Sequence, residues 1–172
     1  MGLNVAVFKD VKRTNDDNEC KFVAYVVDDN WRYKVKNLEY GARYTGECIY
    51  SSIEYAYGTH SKFRAGLLAV IGRMDFMYFD HDRNEHRINF YEFDNEKDIP
   101  FHDLICFADN EGCIDWETSK KIYDDFVKYK NLVNKKLIEQ VFGDFEYFES
   151  LYKNWMTTFK WGSQENSVVD FR

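Results

Sequence analysis

Three short stretches hold residues whose types and spacing could do chemistry. The first runs from Phe107 to Asp115 and sets Asp109, Glu111 and Asp115 around Gly112. Two carboxylates held close can split their pKa values and work as acid and base, or can bind a hard cation. The same residues also have a purely structural use. Asp109 can close an Asx turn, Gly112 can supply a positive φ, and Asp115 can cap a following helix. The second stretch is Ser51 with Thr59-His60-Ser61-Lys62-Phe63-Arg64. If Ser61 caps a helix, free N–H groups and the Arg64 guanidinium could hold an anion, with His60 as a base. Ser51, Ser61 and Arg64 are therefore the ligand-binding candidates, and His60, Arg64, Asp109 and Glu111 the catalytic ones. A capping Ser61 beside a satisfied His60 is the simpler account. No G-x-x-x-x-G-K-[ST] or G-x-S-x-G motif accompanies them.

The third stretch, Asp80-His81-Asp82-Arg83-Asn84-Glu85-His86, opens like a calcium loop. Glu85 stands where that loop needs glycine, and Tyr91 where it needs a bidentate glutamate, so a solvated hairpin turn between Tyr78 and Ile88 is expected. His81 and His86 are five apart, the wrong spacing for a shared helical face. His102, near Pro100, has no partner evident in the sequence. Cys20, Cys48, Cys106 and Cys113 form no C-x-x-C pair, so no structural zinc knuckle is expected, nor any metal or cofactor.

The elements that must position these residues read as α+β, with strands first and helices second. Leu3 to Phe8 is the first strand, the polar run Lys12 to Glu19 a hairpin loop, and Phe22 to Val27 the return strand. Trp31, Tyr33 and Val35 alternate with Arg32, Lys34 and Lys36, which predicts a half-exposed strand. Further strands are expected at Cys48 to Tyr57, Arg87 to Phe93 and Leu104 to Ala108. A helix capped by Ser61 should end at Gly72. Asp115 and Asp144 should cap two longer helices, with Ile122, Phe126, Tyr129 and Val133 facing inward on one and Phe145, Phe148, Tyr152, Trp155 and Phe159 on the other. Gly162 offers a stop, and Val168 to Phe171 a terminal strand. The expected architecture is an antiparallel sheet with about three helices packed on one face, forming a single domain over residues 1–172.

Composition bounds the function classes. A chain of 172 residues with 45% hydrophobic and 19% aromatic residues can bury a sizeable core without staples. The net charge of −7 argues against nucleic acid and anionic membranes, which draw on basic surface, and permits a basic protein partner. Lysines between Lys120 and Lys136 are diluted by Asp124, Asp125 and Glu139, as on a solvated face. The start of the chain lacks a basic, then apolar, export pattern, and no run approaches the ~20 apolar residues of a membrane span. A cytoplasmic protein with reduced thiols is expected.

The segment Phe107-Ala108-Asp109-Asn110-Glu111-Gly112 is similar to a D-x-E-G stretch of a group of small bacterial proteins of unassigned function. The ending Trp155-x-x-x-Phe159 with Val168-Val169-Asp170-Phe171 resembles their W-x-x-x-F…V-V-x-F close. That resemblance implies a bacterial or phage-associated cytosolic domain and no catalytic assignment. With no complete catalytic motif, the leading expectation is a non-enzymatic, acidic protein-interaction module of inhibitor, immunity or adaptor type. Its mark would be a contiguous exposed aromatic patch with an acidic rim. The alternative is a small hydrolase or anionic-ligand binder using His60, Arg64, Asp109 and Glu111, which requires those side chains to converge.

Overall fold

The computed structural model describes residues 2–27, 33–107 and 111–172, with only the backbone at residue 52. Its centre is an antiparallel five-stranded sheet in the order β2-β3-β1-β7-β6. The strands are β1 (Gly2–Arg13), β2 (Phe22–Val23), β3 (Arg43–Ala56), β6 (Gly112–Asp115) and β7 (Val168–Phe171). A separate hairpin joins β4 (Met77–Asp80) to β5 (Glu85–Ile88). Helices α1 (Tyr57–Val70), α4 (Trp116–Tyr129) and α6 (Phe145–Gly162) pack against the sheet. Two single-turn helices, α2 (Phe90–Phe93) and α3 (His102–Ile105), and the short α5 (Lys135–Val141) complete the helical layer. The chain is thus α+β with an antiparallel sheet. Among the described residues, no helix is long and apolar enough to cross a membrane.

Local chemistry explains most boundaries. Asp115 accepts from the Thr118 N–H at 2.9 Å and Asp144 from the Tyr147 N–H at 2.9 Å, so both expected caps form. On α6, Phe148, Tyr152, Trp155 and Phe159 recur at spacings of four, three and four and are fully or nearly buried. Gly162, the last residue of that helix, is set by close approach: a Cβ there would lie 2.3 Å from Val169 Cγ2. Gly72, at φ +73°, closes α1 as expected.

Several expected elements are corrected. β1 pairs with β3 and β7 rather than with the residue 22–27 segment, of which only Phe22 and Val23 are in a strand, on β3. β1 also runs on to Arg13, through an irregular register near Asp10, whose φ is +51°. Residues 33–35 form a tight helical turn, not a strand, and Trp31 and Arg32 lie outside the described residues. α1 starts at Tyr57 directly from β3, with Ala56 at its N-cap, so Ser61 lies within the helix and caps nothing. The apolar run at Leu104 is the helix α3, entered through Phe101 at φ +61°. Arg87 to Phe93 divides into the end of β5 and α2. The Phe107–Asp115 stretch therefore leaves a helix and enters β6, the reverse of the expected order. There Gly112, at φ +133°, passes 3.1 Å from the Tyr25 carbonyl oxygen, measured from the Cβ any other residue would carry.

Candidate functional site

The residues singled out from the sequence fall in different settings. His60 has no exposed surface. Trp155 Nε1 donates to the Tyr55 hydroxyl at 2.7 Å, which lies 3.1 Å from His60 Nδ1, and the Trp155 ring centre is 5.5 Å from the imidazole. His60 Nε2 is buried without a hydrogen-bond partner among the described residues. Burial, reinforced by the Arg64 charge, holds the His60 pKa well below its ordinary value. A base needs access to the proton it takes, and this ring is walled in.

Arg64 is also buried, and its Nη1 donates to the carbonyls of Ile105 at 3.0 Å and Phe107 at 3.1 Å. It therefore ties α1 to the chain leaving α3. Its Nη2 lies 3.5 Å from Ser61 Oγ, one turn back on the same helix. Ser51 is exposed on β3, and Glu111 is exposed and accepts from the Tyr25 hydroxyl at 2.5 Å. Asp109 lies outside the described residues. The structure thus places His60, Ser61 and Arg64 on one helix, and puts Glu111 at the surface against Tyr25 while His60 stays enclosed.

A polar cluster that the sequence did not signal surrounds α3. Lys34 is fully buried; its ammonium donates to the Tyr33 hydroxyl at 2.5 Å and lies 3.5 Å from Asp103 Oδ1. Tyr33 donates to the same carboxylate oxygen at 2.7 Å, and Lys121 reaches the other oxygen at 2.8 Å. Burial pulls the Lys34 pKa down to about 8, against the pull of Asp103. For Asp103, burial raises the pKa, but Lys34, Lys121 and Tyr33 together outweigh it and hold the carboxylate below its ordinary range. A surface cleft of about 250 Å³ opens over this network between Tyr33, Asp103 and Lys121. The neighbouring His102 points to a different set. Its Nε2 is 3.6 Å from Asp94 Oδ1 and 3.6 Å from Cys106 Sγ. Among the described residues, Asp94, His102 and Cys106 are the group of side chains placed so that they could hold a metal.

The second unsignalled feature is a surface. Of the ten exposed large hydrophobic side chains among the described residues, Tyr78, Phe79, Phe90 and Tyr91 lie on or beside the β4–β5 hairpin. Tyr78 and Phe90 line a cleft of about 170 Å³ with Ser61 and Arg87, and Phe79 and Phe142 line another of about 140 Å³. The two clefts share Lys62, Glu85 and His86. The Phe79 ring meets His81 and His86 edge-on at 5.1 and 5.2 Å, and Tyr147 continues the row beyond Phe142 at 5.7 Å. As expected, the turn is a solvated hairpin: Asp80 Oδ1 accepts from the N–H groups of Asp82 and Arg83.

No protein-family model, curated protein or solved structure matches the chain. The chemistry must therefore be read from the geometry alone. From Met77 to Asp98 the sequence carries seven carboxylates and three basic side chains, a local excess of four negative charges around the aromatic row. Such a surface offers ring faces and carboxylates together, the two groups that recognise guanidinium and ammonium ions.

Proposed function

We propose that this chain is a non-enzymatic protein-interaction module of inhibitor, immunity or adaptor type. It takes a basic segment of a partner protein on the face built by the β4–β5 hairpin and α2. The observation that carries this reading is the group of exposed rings Tyr78, Phe79, Phe90 and Tyr91 on and beside the hairpin, in a stretch with four excess negative charges, with Tyr147 exposed beyond Phe142 of the neighbouring cleft. Exposed apolar patches edged with charge are typical contact sites, and aromatic residues are enriched in them. Arg83 and Arg87 lie within 4.0 Å of Asp80, so part of the acidic rim is already paired. The surplus on Glu92, Glu96 and Asp98 remains to attract a basic partner and steer its approach. A reducing cytoplasm fits this reading, since all four cysteines are free thiols.

Photo-crosslinking tests it. A photoreactive amino acid in place of Tyr91, which is 87% exposed, is compared in the cells of origin with one in place of Leu132, which is 59% exposed and lies between α4 and α5. Position 91 should yield a discrete adduct to one protein with a basic contact segment, abolished by Phe79→Ser. Equal adduct patterns at the two positions, or an adduct indifferent to Phe79→Ser and to high salt, would sink the proposal.

A further inference from the structure

We infer that Asp94, His102 and Cys106 form a binding site for a borderline-soft divalent metal ion of the zinc class, with a fourth position left for water. One atom from each residue can be chosen so that all three lie within 4.8 Å of one another. The edges are informative. Zinc holds sulfur at about 2.3 Å and nitrogen at about 2.0–2.1 Å, so two such ligands at the tetrahedral angle stand about 3.5 Å apart. His102 Nε2 and Cys106 Sγ are 3.6 Å apart, and His102 Nε2 and Asp94 Oδ1 also 3.6 Å. The latter is too long for a direct hydrogen bond, the former is also within reach of a weak thiol hydrogen bond, and both lie close to the edges of a metal tetrahedron.

The donor set is an imidazole, a thiol and a carboxylate, a combination suited to zinc and not to magnesium or calcium. His102 and Cys106 sit four apart at the start and end of α3, which brings both side chains to one side of a single turn. The Phe93 ring stacks on His102 at 5.2 Å and fixes its plane. Asp94 is 52% exposed, so an ion can enter from solvent. Charge also balances. Binding converts the Cys106 thiol to thiolate and releases one proton to water; thiolate and carboxylate then neutralise the dication. Three cations act on the cluster: Lys34 and Lys121, both engaged by Asp103 at 3.5 and 2.8 Å, and Arg64, whose Nη1 is engaged by the Ile105 and Phe107 carbonyls.

The test uses the full chain, stripped with a chelator and titrated with Co²⁺ and then Zn²⁺. Co²⁺ should give a thiolate-to-metal charge-transfer band with intense four-coordinate visible bands, and Zn²⁺ should displace it stoichiometrically. Cys106→Ser should abolish the charge-transfer band. Asp94→Asn alters a side chain that is 52% exposed, and should weaken Zn²⁺ binding by roughly 10-fold or more. Cys20→Ser, Cys48→Ser and His86→Gln should leave the titration unchanged. Co²⁺ bound without the thiolate band, a band that survives Cys106→Ser, or Zn²⁺ affinity equal in Asp94→Asn and the unaltered chain would each overturn the inference.

Discussion

His60 shows how a residue chosen for its chemistry can be committed to the core instead. Its imidazole hydrogen-bonds the Tyr55 hydroxyl and packs on Trp155, and burial holds it neutral. The folded pKa lies below the unfolded value of 6.5, so protonation favours the unfolded chain. Stability from this group is complete above about pH 6.5 and is lost as pH falls below it. The denaturation midpoint of the protein should fall as pH drops from 7 to 5. His60→Phe should flatten that slope, and an unchanged slope would assign the acid sensitivity to other groups. Lys34 makes the converse point. Alternation with Tyr33 and Val35 places it on a solvent face, yet Lys34 is fully buried and Tyr33 is 44% exposed. Alternation from Trp31 to Lys36 does not fix a strand, since a short run also admits the helical turn found at 33–35, and only Asp103, some seventy positions later, supplies the partner that lets an ammonium be buried.

At the scale of elements, the legible parts were those with a local cause. The caps at Asp115 and Asp144, the stripe of α6 and the hairpin at Asp80 each depend on neighbours a few residues away. Pairing partners and short apolar runs were not legible. Leu104-Ile105-Cys106-Phe107 has no period long enough to separate helix from strand, and reading it as a strand hid the four-residue spacing of His102 and Cys106 that α3 places on one side. Gly162, read as a helix stop, is required by packing: α6 and β7 approach so closely there that a Cβ would overlap Val169. Gly162→Ala should cost about 1–3 kcal/mol in chemical denaturation, as for overpacked cores generally. Gly58→Ala, where a Cβ meets nothing within 4 Å, should be neutral or mildly stabilising. Equal effects at the two glycines would refute the close-packing account.

At the scale of the whole molecule, β7 stands between β1 and β6 and so joins the first strand of the sheet to the one that leads into α4. Val168, Val169 and Phe171 are buried, and Phe171 packs against Phe107 at 4.5 Å and Trp155 at 5.7 Å. A chain ending before Val168 should lose its cooperative thermal transition by circular dichroism, whereas one lacking only Arg172 should keep it. The same placement sets a timetable for synthesis. Val5 finds its neighbour Phe171 only after every other element of the sheet has been made. At about 5–20 residues per second, β1 waits on the order of ten to thirty seconds with one edge unpaired. During that interval the strand Leu3-Asn4-Val5-Ala6-Val7-Phe8, apolar and rich in β-branched side chains, is a template for any other extended chain it meets. Yield of folded protein should therefore respond to translation rate and to chaperones that cover nascent chains, more than the stability of the finished fold alone would suggest.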